Sequence, residues 1–216
     1  ELTYKITWYG VLAGIGKLKV SDKALYKGKE VYRLASQGVT AGVIGKFYTV
    51  DDRLEVLIDP QGLYPYYAFL SQQEGKRRKT TEVFFNQGKN KITYITNNGR
   101  PREFTAPTEV LDILSSLYFY RSQKLTEDNS IQMKVFNNKK IFSAQAKILG
   151  KERLKTPMGE LLTFLVQPTI SLNGTSYTKG NAVMWLTADE RKIPVKIKIK
   201  APIGHILATL VDYKSE

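Results

Sequence analysis

Apolar and polar residues alternate along most of this chain. Leu2, Tyr4, Ile6 and Trp8 fall on one side of an extended segment and Thr3, Lys5 and Thr7 on the other, the two-residue period of a strand with one buried face. The period returns in Leu54, Val56 and Ile58 against Arg53 and Glu55, and in Phe142, Ala144, Ala146 and Ile148 against Ser143, Gln145 and Lys147. Leu162, Phe164 and Val166 repeat it, as do Val195, Ile197 and Ile199, which alternate with Lys196, Lys198 and Lys200. One-sided strands belong to antiparallel sheets, because parallel sheets bury both faces. Gly, Asn and Pro separate the runs in "DPQGLYP", "NQGKN", "TNNGRP", "FNNKK" and "SLNGTSYTKGN", which read as hairpin connections. The expected fold is mainly β, with about a dozen strands in one large curved antiparallel sheet. So many strands curl into a barrel or half-barrel, or split into a two-layer sandwich.

One segment breaks the rhythm. In "APTEVLDILSSLYFYR" the residues Val110, Ile113, Leu114, Leu117 and Tyr118 follow helical spacing, Pro107 suits a first turn, and Asp112, Ser115 and Ser116 mark a wet side. This predicts one amphipathic helix near residues 107–121, seated in the concavity of the sheet. A glycine-interrupted apolar stretch, "TAGVIGKFYTV", reads as a loop or short helix at a rim. No Pro-rich or Ser-rich linker divides the chain. The best candidate joint, "SQKLTEDNS", would separate the helix from its seat, so residues 1–216 are expected to form a single β-rich domain.

With 216 residues the chain can bury a core without staples, and it has no cysteine, which excludes thiol catalysis, thiolate zinc sites and iron–sulfur clusters. No apolar run approaches the roughly 18 residues of a membrane-spanning helix, so no transmembrane segment is expected. The start at Glu1 fits a mature chain freed of a signal peptide, and equally a chain trimmed at its start. The net charge of +13 attracts polyanions such as nucleic acid, anionic lipid headgroups or acidic polysaccharide without choosing among them.

Candidate chemistry is sparse. Asp189 and Glu190 are adjacent, so their carboxylates diverge in a strand or face water in a turn, and "TADERK" has the polarity of a turn. His205 is the only histidine, lying next to the bend "APIG", and neither a nucleophile elbow nor a second metal-ligating histidine accompanies it. Asp51 with Asp52 and Glu127 with Asp128 read as solvated pairs. "GVIGK" ends like a phosphate loop, yet no glycine stands five positions before Gly45, and Phe47 replaces the hydroxyl after Lys46. Gly10, Gly14 and Gly16 have the wrong spacing for a dinucleotide fingerprint and read as kinks or close packing in a curved strand. No catalytic residue, metal or cofactor is assigned.

Two features suggest binding. "LYPYYAFL" is apolar on both faces, with Tyr64, Tyr66 and Ala68 on one and Tyr67 and Phe69 on the other, as in a strand buried twice or lining a hollow. An apolar groove lined by Trp8, Tyr66, Phe69, Leu114, Tyr118, Phe164 and Trp185 would hold a lipid or other amphiphile. The basic run Lys76, Arg77, Arg78 and Lys79 alternates faces on a strand, so about half of it serves one surface. With Lys196, Lys198 and Lys200 it would contact an anionic group if the two strands are neighbours. Nucleic acid is disfavoured, since no aromatic ribonucleoprotein signature, zinc knuckle or recognition helix is present. A structural or interaction module, docking on an envelope protein or anionic cell-surface polymer, is the alternative.

Four stretches resemble the bacterial exported family known as domain of unknown function 3108: "YKITWYGVLAGIGKLKV", "GKFYTVDDRLEVLIDPQGLYPYYA", "KERLKTPMGELLTFLVQP" and "MWLTADERKIPVKIKIKAPIGHILATL". The last two are the most specific, with Thr156, Pro157 and Gly159, then Trp185, Leu186, Thr187, Arg191 and Pro194 in place. The resemblance implies a mostly antiparallel β protein, exported with a signal sequence and working in the periplasm or at a membrane face. It carries over no catalytic residues.

Overall fold

The computed structural model describes residues 1–127, 130–176, 182–200 and 204–214. The strands are β1 (Leu2–Trp8), β2 (Val11–Tyr26), β3 (Lys29–Thr40), β4 (Asp51–Ile58), β5 (Pro65–Glu74), β6 (Arg77–Asn86), β7 (Lys91–Thr96) and β8 (Arg102–Thr105). They continue as β9 (Ser130–Asn137), β10 (Lys140–Thr156), β11 (Gly159–Leu172), β12 (Thr175–Ser176), β13 (Ala182–Thr187), β14 (Pro194–Lys200) and β15 (His205–Tyr213). All belong to one 15-stranded sheet in the order β8-β7-β6-β5-β4-β3-β2-β1-β15-β14-β13-β11-β10-β9, with β12 paired to β11. Each of these strand pairings is antiparallel, as the one-sided alternation predicts.

Register shifts interrupt β1 at Thr3/Tyr4 and Ile6/Thr7, β2 at Ser21/Lys23 and β10 at Ile148/Gly150. An unpaired extra residue bends a strand and raises its twist, and these slips help to curl the sheet. The curl does not close by a β8–β9 ladder. The segment after β8 bridges the gap, with Ala106 donating to the Asn90 carbonyl at 2.8 Å and Leu111 to the Lys134 carbonyl at 2.8 Å. Phe136 of β9 meets Phe85, Tyr94 and Phe104 across the seam at ring-centroid distances of 6.1, 6.2 and 5.6 Å. The chain ends lie together, since the Glu1 ammonium donates to the Lys214 carbonyl.

The predicted helix is α2 (Ile113–Ser122), shorter than expected, and a second helix, α1 (Gly42–Phe47), occupies the glycine-interrupted stretch. The expected wet side of α2 is corrected at two positions: Asp112 and Ser115 are buried. The Asp112 carboxylate accepts from the amides of Leu114 and Ser115, while the Asp112 amide donates to Ser115 Oγ. This capping box satisfies the helix N-terminus inside the protein, where water cannot. Leu114 packs with Leu34, Val56 and Phe136, whereas Tyr120 packs with Ile148, Phe164 and Leu186. Arg121 then ties the far end down by donating to the carbonyls of Arg191 and Lys192, both at 2.9 Å. α2 is therefore a plug running across the concavity.

Candidate functional site

The plug leaves one end of the sheet hollow. This end carries the β1–β2, β3–β4, β5–β6, β7–β8 and β9–β10 connections, and the chain termini lie at the other. A cavity of about 510 Å³ lies between β4, β5, β6, β7 and the β9–β10 turn. Leu54, Ala68, Leu70, Val83, Phe85 and Phe136 give it an apolar floor, and Gln72, Glu74, Arg77, Lys79, Thr81 and Tyr94 a polar upper wall. A second hollow of about 600 Å³ is walled mainly by Ile6, Trp8, Gly14, Gly38, Ile44 and Ile206. A third, of about 360 Å³, shares Leu54 and Leu70 with the first and Ile6 and Gly38 with the second, so the three run together as an open trough.

Glycines help to make the hollow. In the ladders Ile6 faces Gly14, Tyr4 faces Gly16, and Gly16 faces Gly38. A Cβ at Gly14 would lie 2.5 Å from the Val39 carbonyl oxygen, so no larger residue fits there without moving the backbone. At Gly16 an added Cβ would press on the Ile6 side chain at 3.3 Å, whereas at Gly38 it would meet nothing within 4 Å, so Gly38 leaves space that a Leu or Val would fill.

The basic run divides as strand alternation requires. Arg77 and Lys79 line the cavity together with Thr81, Val83 and Phe85, whereas Lys76 and Arg78 lie outside its wall. Arg77 Nη1 stands 3.9 Å from Glu74 Oε2. Lys79 has no ion-pair partner among the described residues. Beside it, burial works to raise the pKa of the Tyr94 phenol, but the Thr81 and Thr96 hydroxyls, followed by the charges of Lys79 and Lys139, hold it below its ordinary value. Neither threonine hydroxyl makes a hydrogen bond of good geometry among the described residues. The wall thus combines the positive charges of Arg77 and Lys79 with the Thr81 hydroxyl above an apolar floor.

Of the seven aromatic and aliphatic residues expected to line a groove, only Trp8 borders the trough. Tyr66 lies at a register shift in β5 and donates to Asp59 Oδ2 at 2.8 Å, beneath the Lys29 ammonium. Phe69 pairs with Glu55 and Glu82 on the outer face. Leu114 and Phe164 are core, and Tyr118 packs on α2 beneath the Arg121 guanidinium. Trp185 is partly buried against the core cluster that includes Tyr4, Val195 and Leu210, donates to Glu152 and lies under Lys196 Nζ at 4.8 Å. Lys196, Lys198 and Lys200 alternate with Val195, Ile197 and Ile199 on β14. β1 to β5 and β15 separate β14 from β6, so the two basic groups do not form the joint face considered from sequence. Nothing local in the sequence marks Thr81, Tyr94, Leu70 and Phe136 as lining residues, or Leu54 as more than a buried strand position, because alternation does not tell which face of a strand meets a hollow.

The remaining candidates are structural. Asp52 accepts from Gln72 Nε2 at 3.3 Å and the Gln73 amide at 3.1 Å, and Asp51 accepts from Gln37 and Arg53, so this pair is engaged rather than merely solvated. His205 is exposed at the start of β15, Glu127 is exposed, and Asp128 lies outside the described residues, as do Ala201 to Ile203 of the "APIG" bend. Asp189 holds its turn by accepting from Thr187 Oγ1, Arg191 and the Lys192 amide. Burial opposes ionisation of Asp189, but these donors outweigh it and hold its pKa below the usual carboxylate value. A depressed native pKa gives stability that is present above the unfolded value of about 3.9 and is lost as pH falls through the native one. Asp189→Asn is therefore expected to lose less stability than the wild type between about pH 6 and about pH 2, measured by urea midpoints. No group of three or more potential metal ligands occurs among the described residues.

A curled antiparallel sheet with an internal helical plug and one open end defines a β-barrel-like protein. The family model described as "Protein of unknown function (DUF3108)" matches residues 3–211, and the chain belongs to that family. It is also similar in fold to the crystal structure of a beta-barrel-like protein of domain of unknown function DUF1849 from Brucella abortus. That likeness has a TM-score of 0.68 and 9% identity, covering 99% of this chain and 97% of that one. No curated protein matches the sequence.

Proposed function

We propose that this protein is a non-enzymatic binder of an anionic amphiphile in the bacterial cell envelope, at work in the periplasm or at a membrane face. One observation carries the reading: Arg77 and Lys79 stand over an apolar floor in a cavity of about 510 Å³. Small-molecule sites have volumes of roughly 300–1,000 Å³ and combine apolar walls with a few convergent polar groups. An acyl chain would lie on Leu54, Leu70, Val83 and Phe136, while a carboxylate or phosphate takes the Lys79 ammonium and the Thr81 hydroxyl. A charge-assisted hydrogen bond of this kind is worth about 1.5–3 kcal/mol. The protein needs no catalytic group to do this.

The test is organic extraction of the purified protein followed by mass spectrometry, with native mass spectrometry of the delipidated protein after incubation with palmitate. Retention of an acyl-chain lipid, or uptake of one palmitate per chain, is the expected result. A protein that carries no lipid and takes up no palmitate contradicts the proposal.

A further inference from the structure

We infer that the open end of the sheet docks on an anionic lipid bilayer surface, with Phe47 as its main apolar anchor. Phe47 is 85% exposed and Val43 61%, both on the six-residue helix α1, and Tyr9 is 66% exposed at the β1–β2 turn. These side chains form one rim. The rings of Trp8 and Tyr9 lie 5.4 Å apart, and Trp8 shares the second hollow with Ile44 of α1 and Ile206 of β15. Tyr48 lies over Gly75, where an added Cβ would approach its ring to 3.3 Å. The rim therefore runs from the start of β15, through α1, to the β5–β6 turn and its basic run. Monomeric soluble surfaces scatter single apolar residues, whereas a contiguous cluster marks an interaction site.

Charge selects the partner. The fully described connections at this end read "YGVLA", "AGVIGKFYTV", "GKRRK", "NNGRP" and "NNKK", with no Asp or Glu in any of them. The nearest carboxylates are occupied: Asp51 by Gln37 and Arg53, Asp52 by Gln72 and Gln73, and Glu74 by Arg77. At the opposite end the connections carry acids among the bases, including Asp59, Glu109, Asp189 and Glu190. The molecule is thus polarised along its axis, with an aromatic and basic rim at one end whose nearby carboxylates are already engaged. Aromatic residues prefer the interfacial zone of a bilayer, and lysines and arginines beside them are drawn to anionic headgroups. The anchors stand on a short helix and a tight turn, suited to insertion among lipid headgroups rather than to a fitted protein pocket. This inference is independent of what fills the cavity, since Phe47 and Lys76 lie outside its wall.

The experiment is flotation of the full chain with vesicles of phosphatidylcholine alone and of phosphatidylcholine mixed with phosphatidylglycerol. Wild type is expected to float with the mixed vesicles, to remain behind with the neutral ones, and to release in high salt. Phe47→Ser should weaken binding at least about tenfold, from the apolar area it withdraws. Lys76→Gln and Arg78→Gln should weaken it roughly fivefold each. Leu25→Ser, an equally apolar change at an 81% exposed position toward the opposite end, should leave it unchanged. Failure to float with mixed vesicles, equal binding to neutral ones, or equal effects of Phe47→Ser and Leu25→Ser would overturn the inference.

Discussion

Lys79→Glu is expected to abolish high-affinity uptake of a fluorescent fatty acid, weakening it by roughly a hundredfold, or about 3 kcal/mol. Two effects add. The variant would remove the proposed charge-assisted hydrogen bond to the ligand head, and it would place a carboxylate where an anionic ligand carries its own negative charge. Lys76→Glu changes the net charge equally but lies outside the cavity wall, so it should shift affinity by less than about threefold. Titration of the probe against both variants separates a placed cation from a general field. Equal losses in the two variants would mean that Lys79 acts only as one of many surface charges.

Phe136→Ala is expected to cost about 3–5 kcal/mol of stability in urea denaturation, the range for emptying an aromatic site in a core. The position joins the two edges of the sheet: its ring meets Phe85, Tyr94 and Phe104 where β8 and β9 share no ladder. Few backbone hydrogen bonds cross that seam, so its cohesion rests on aromatic packing and on the bridging segment at Ala106 and Leu111. Phe69→Ala, on the outer face, should cost under about 1 kcal/mol. A small loss for Phe136→Ala would show that the seam is held elsewhere.

Much of the fold is legible in the sequence, and most of the cavity is not. Period-two alternation in Leu2 to Trp8 or Val195 to Ile199 states directly that a strand has one buried face, and the hairpin residues set antiparallel order. What alternation cannot state is whether the apolar face meets another side chain or a void. Phe164 and Trp8 have the same pattern, yet one is core and the other borders the trough. Part of the signal lies in residues without side chains: Gly14 and Gly16, readable as kinks or close packing, let Ile6 and Tyr4 pack across the ladder, and Gly38 beside them leaves the inner face open. The basic run was partly legible, because alternation on β6 sends Arg77 and Lys79 to one face. Lys196, Lys198 and Lys200 were misleading partners for it, since strand order across the sheet depends on pairings that no local pattern records. Asp112 misled for another reason: a helix-capping carboxylate and a solvent-facing one look alike until the helix is seen inside the sheet.

We propose that the apolar trough, with its cationic wall, holds the head of an amphiphile. The most direct test is a crystal structure of the protein with a fatty acid brominated along its chain, located by anomalous scattering. Bromine is expected between Leu54, Leu70 and Val83, with the carboxylate within hydrogen-bonding distance of Lys79. Bromine only on the outer face, or a trough holding nothing but water at saturating ligand, would contradict it.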